Sequence, residues 1–168
     1  MITALGMDHV RELGPTLADI AAAKAGIIKP GCPVVSYGGV PEADAVIRRV
    51  AAEQNAPLTE VDFHKLQIDG GDLDAVTFDL MGWTGCTCPS SAATSPQRGV
   101  AITTLRVLRA KGWNVPESAI RTGLETVQWP GRFELLRHAP ASCWTQPQRP
   151  RMRATVQSLK DRFPGEQV

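Results

Sequence analysis

A histidine and a lysine carry the chemistry that this chain could perform. His9 stands in Gly6-Met7-Asp8-His9, directly after the apolar run Ile2 to Leu5. Lys24 follows fifteen positions later (24 − 9) in Ala22-Ala23-Lys24-Ala25-Gly26. A histidine just past the carboxyl end of a strand lies where open α/β sheets place ligands, which makes it a candidate metal ligand. Thr16 with Asp19 three residues on has the spacing of a capping box and starts a helix. From there Leu17, Ile20, Ala21 and Lys24 fall at i, i+3, i+4 and i+7, one face of that helix. A lysine on an apolar stripe either snorkels to water or is held there for its amine. Each residue also has a plainer reading. His9 fits a hydrogen-bonded surface turn and Asp8 caps its own backbone. Lys24 complements the carboxyl end of its helix, worth roughly a few tenths of a kcal/mol.

The elements that must position these residues alternate through the first half. Ile2 to Leu5 reads as a strand, Leu17 to Lys24 as a helix stopped near Gly26, and Pro33 to Tyr37 as a buried strand after the Pro30-Gly31 turn. Pro41 and Glu42 open a second helix with a period through Ala45, Val46 and Val50, and Leu58 to Val61 gives a short strand. This βαβαβ order predicts a parallel sheet flanked by helices. Ala75 to Leu80 reads as a later, antiparallel strand reached through a Gly70-Gly71 turn. Helices follow over Val100 to Leu108 and Pro116 to Leu124. Two stretches, 84–99 and 140–151, lack any period and read as surface loops, though loops this long are uncommon in a compact domain.

Composition narrows the partners. The 168 residues are 43% hydrophobic and 21% charged, enough to bury a core. Eighteen Lys and Arg against seventeen Asp and Glu leave a net charge of +1, so neither nucleic acid nor an anionic membrane is expected as partner. No apolar run reaches the ~18–20 residues that span a bilayer, and the first residues lack the pattern of a signal peptide. Cys32, Cys86, Cys88 and Cys143 form no disulfide framework, and a lone Cys86-Thr87-Cys88 is a weak metal motif. Reduced thiols and the cytoplasm are the expectation.

Taken together, Ile2-Thr3-Ala4-Leu5-Gly6-Met7-Asp8-His9, Leu13-Gly14-Pro15-Thr16-Leu17 and Lys24-Ala25-Gly26-Ile27-Ile28-Lys29-Pro30-Gly31 closely resemble the folylpolyglutamate synthase/dihydrofolate synthase family. That family belongs to the Mur-ligase superfamily of ATP-dependent amide-forming enzymes. Trp129-Pro130-Gly131-Arg132-Phe133-Glu134 resembles a segment near the junction of the family's two domains, and Gly112-Trp113-Asn114-Val115-Pro116 with Gly123-Leu124 also fits. The resemblance is nearly continuous over 1–83 and 100–138. It implies an acyl phosphate made with ATP and attacked by the amine of L-glutamate, on a folate or dihydropteroate substrate. It implies Mg2+ for the phosphates and leaves room for K+ or another monovalent cation. By the same resemblance His9 is a magnesium ligand and Asp8 supports its turn. Lys24 is a carbamylated lysine, a modification that needs a neutral amine and is helped by partial burial. Arg132 reaches the nucleotide phosphates, a role suited to a fixed charged fork. Without the Trp-Pro-Gly ahead of it, Arg132 would read as a solvated arginine before a strand.

The fold implied is α/β: the second half of a Mur-ligase-type ATPase domain over residues 1–137, then the start of a Rossmann-like carboxyl-terminal domain over 138–168. The parent is expected to be monomeric. The departures are specific. No G-x-x-x-x-G-K-[ST] phosphate loop is present, and its family position lies ahead of residue 1. Gln97-Arg98-Gly99 stands where the family leads into its adenine-contacting helix, and Trp144 to Arg149 stands in place of Asp-Gly-Ala-His-Asn-Pro. Intact flanks around both stretches suggest reading out of frame. The chain is therefore expected to be inactive alone. A Mur-type peptidoglycan ligase is the rival enzyme, disfavoured by the folate-branch form of the Lys-Ala-Gly-Ile-Ile-Lys-Pro-Gly run. The rival from outside the enzyme class is the non-catalytic relic of a decayed gene.

Overall fold

Parallel pairing organises the first sixty residues. A computed structural model of the chain describes residues 1–7, 10–71, 74–80, 82–89, 95–128, 134–138 and 141–144. The strands β1 (Val34–Ser36) and β2 (Leu58–Glu60) run parallel in the register Val34↔Leu58 to Ser36↔Glu60. On the other side of β1, Ile2 makes a single parallel bridge to Ser36. Its N–H donates to the Val35 carbonyl at 2.8 Å, and its carbonyl accepts from Tyr37 at 2.9 Å. The expected strand Ile2–Leu5 thus shrinks to one bridge. A short helix α1 (Val10–Leu13) precedes α2 (Leu17–Ala25), and α3 (Pro41–Glu53) joins β1 to β2.

Both faces of β1 are covered, as parallel strands require. Val34 packs with Ile2, Ala25, Ile28, Ile47 and Ala51, the apolar sides of α2 and α3. Val35, the next residue and so on the opposite face, joins Val61 and Val100 with Tyr37 and Phe63 against them. Val100 lies on α4 (Ser95–Ala110). α4 comes close enough to β2 that a Cβ on Gly99 would stand 2.9 Å from Val61 Cγ1 and 3.0 Å from a Phe63 ring carbon.

A second sheet is antiparallel, in the order β3 (Leu66–Gly71), β4 (Ala75–Leu80), β5 (Trp83–Pro89). Gly70 and Gly71 lie within β3 rather than forming the turn, because a bulge after Ile68 lets the strand pair on to Val76. The surface-loop reading of 84–99 is corrected here. Residues 84–89 form most of β5, and 95–99 open α4. Thr84, Gly85, Cys86, Thr87 and Cys88 offer no large apolar group. Yet Cys86 and Cys88 alternate inward and are 2% and 1% exposed beside Val76, Phe78, Leu80 and Ile102. The reading of 140–151 is corrected in part, since β6 (Glu134–His138) and β7 (Ala141–Trp144) form an antiparallel hairpin. The last helix of the first part is α5 (Glu117–Thr126), with Pro116 at its N-cap. By packing, the chain divides into two compact units, Met1–Val127 and Gln128–Val168.

Two consequences can be measured. Phe78 is fully buried in the second sheet's core, so Phe78→Ala should cost about 3–5 kcal/mol in urea unfolding. On the rim of the same sheet, the Asp69 carboxyl is raised above its ordinary 3.8, first by desolvation and then by the neighbouring Asp79 carboxylate. A raised carboxyl favours the folded state while protonated, so its contribution is lost as pH rises from 3.8 through the folded value. Asp69→Asn should therefore raise the urea midpoint at pH 7 and leave it unchanged at about pH 3, below both values.

Candidate functional site

The helix that carries Lys24 is built from its amino end. Thr16 is extended at the N-cap. Its Oγ1 accepts from the Asp19 N–H at 3.1 Å, and its own N–H donates to Asp19 Oδ2 at 3.1 Å, completing the capping box. Gly14 has φ +111°, and a Cβ there would sit 2.6 Å from that of Asp19, so the approach to the cap requires glycine. Glu42 on α3 accepts from the Ala18 N–H at 3.4 Å, a tie between the first turns of the two helices. Ile20, Ala21 and Ala25 are the buried residues of α2.

Lys24 is exposed, which corrects its expected place on the buried stripe. The buried face runs through Ala21 and Ala25 and continues to Ile28, so Lys24 lies to one side of it in the last turn. Its long side chain reaches water from there. The partial burial expected to favour carbamylation is absent at this position. Asp8, His9 and Arg132, the other expected site residues, lie outside the described residues. Among the described residues no three His, Cys, Asp or Glu side chains come together in a way that could hold a metal ion.

Two polar groupings escaped sequence reasoning. At the carboxyl edge of the parallel pair, Ser36 is buried opposite Glu60, and Glu60 pairs with Arg48 at 2.8 Å. Asp44, also buried, reaches back one turn to accept from the Val40 N–H at 3.0 Å. An acidic residue one turn into a helix that opens with proline is the signal that could have found this cap. The second grouping centres on Arg121 of α5. It gives two hydrogen bonds to Glu117 Oε1, at 3.0 and 2.8 Å, and one to the Thr84 carbonyl at 3.0 Å. Its guanidinium lies 5.6 Å above the Trp83 ring. These contacts fasten α5 to β5. Beside them burial pushes the Cys86 thiol up, and the Arg121 charge only partly opposes this. Cys88 donates to the Val76 carbonyl at 3.4 Å. Both thiols are packing groups, unlike the exposed Cys32.

The parallel pair β1–β2 with the Ile2 bridge and its flanking helices, beside a small antiparallel sheet, is an α/β fold, and the solved structures it matches make it part of a Mur-ligase-type domain. No protein-family model matches the chain. The dihydrofolate synthase/folylpolyglutamate synthase of Bacillus subtilis is 34% identical over 153 residues, covering 83% of this chain and 34% of that protein. A solved FPGS–AMPPCP–folate complex superposes with a TM-score of 0.79 at 28% identity, over 96% of this chain and 42% of that one. The Escherichia coli enzyme FolC, solved in complex with DHPP and ADP, superposes with a TM-score of 0.74 at 26% identity, over 98% of this chain and 38% of that one. Over most of its length the chain belongs to the folylpolyglutamate/dihydrofolate synthase family. It spans about a third of the length of the curated relative it matches. Among the described residues no helix is long and apolar enough to cross a membrane.

The thiol environments predict an order of reactivity. Iodoacetamide at pH 8 should label Cys32 in the folded protein and spare Cys86 and Cys88 until denaturant is added. Peptide mass spectrometry checks this, and early labelling of Cys86 would contradict its burial.

Proposed function

We propose that this chain supplies the His9 and Lys24 segment of an ATP-dependent ligase. That enzyme joins L-glutamate through an amide bond to a folate or dihydropteroate carboxylate by way of an acyl phosphate. The observation that supports the reading is the run from Gly6 through His9 to Lys24-Ala25-Gly26, in a chain of which 96% superposes on the FPGS–AMPPCP–folate complex. His9 is the proposed magnesium ligand, Lys24 the carbamylated lysine and Arg132 the contact to the ATP phosphates. Asp8 supports the His9 turn. Bound Mg2+, with K+ or a similar ion beside it, would neutralise phosphate charge. Among the described residues no three His, Cys, Asp or Glu side chains gather to hold such an ion.

The chain's own residues do narrower work. The capping box and Gly14 fix the start of α2, and burial of Ala21 and Ala25 fixes its rotation. Lys24 is thereby presented to solvent at the end of two turns of helix. Residues 1–137 are assigned to the central ATPase domain and 138–168 to the start of the next. The whole enzyme is read as a cytoplasmic monomer acting on small molecules, without nucleic acid or membrane partners. The motif departures at Gln97-Arg98-Gly99 and at Trp144 to Arg149 support a second reading for this particular chain, the silent product of a decayed or frameshifted gene.

A chimera tests the first reading, and the isolated chain tests the second. In a chimera, residues 1–83 replace the matching stretch of the Bacillus subtilis relative, and ATP-dependent addition of glutamate is assayed. Activity within about tenfold of the parent is expected. His9→Ala and Lys24→Ala should each lower activity by about ten- to a hundredfold, the scale of losing a group that holds or orients a bound metal ion. An active chimera indifferent to both substitutions would sink the assignment. The isolated chain should show no turnover of ATP or folate, and measurable ligation by it alone would remove the silent-product reading.

A further inference from the structure

We draw no further inference here: the strongest candidate, the far edge of the parallel sheet beside the Ile2 bridge, with Met1, Met7 and Val10 exposed in the same stretch, carries nothing because nothing in the structure shows what covers it, and filling it with the rest of such a synthase restates the family's own fold.

Discussion

The parallel part of the first unit depends on β1 being buried on both faces. Three residues suffice because Val34 and Val35 point opposite ways into two separate clusters. The first cluster pins α2 and α3 to one side of the sheet. The second brings α4 to the other, close enough that Gly99 has no room for a side chain. A polar residue at either valine would bury a polar group among apolar ones, while the strand's own backbone groups are satisfied by neighbouring strands. The hydrogen bonds to Ile2 on one edge and to Pro57 and Val61 on the other complete that accounting.

The second sheet shows how far a core can tolerate small groups. Phe78 and Leu80 supply the volume from β4, and Cys86 and Cys88 fill the space opposite with two compact, weakly polar side chains. Hydrogen bonding along the β4–β5 ladder holds the strand despite its threonine and glycine content. Arg121 then adds an anchor from α5 through the Thr84 carbonyl and the Trp83 ring. Periodicity could not expose this arrangement, because its inward residues are cysteines rather than branched aliphatics.

Lys24 shows the limit of helical spacing as evidence. The i, i+3, i+4, i+7 rule names a stripe wide enough to include it, yet the packing of α2 centres on Ala21 and Ala25. Alanines let the helix sit close and leave the flanking lysine at the water's edge.

Local signals alone determined the capping box at Thr16, the helices over α2 and α3, the short strands β1 and β2, and the family to which the residues around His9 and Lys24 belong. All of these are written within a few residues of the position concerned. Tertiary structure decided the rest: which side of α2 is buried, that Ile2 makes one bridge instead of a full strand, and that residues 84–89 pair with β4. The first two turn on groups distant in the chain, Ala25 meeting Ile47 and Ile2 meeting Val35, and β5 is fastened by Arg121 meeting Thr84. No window of neighbouring residues contains both partners.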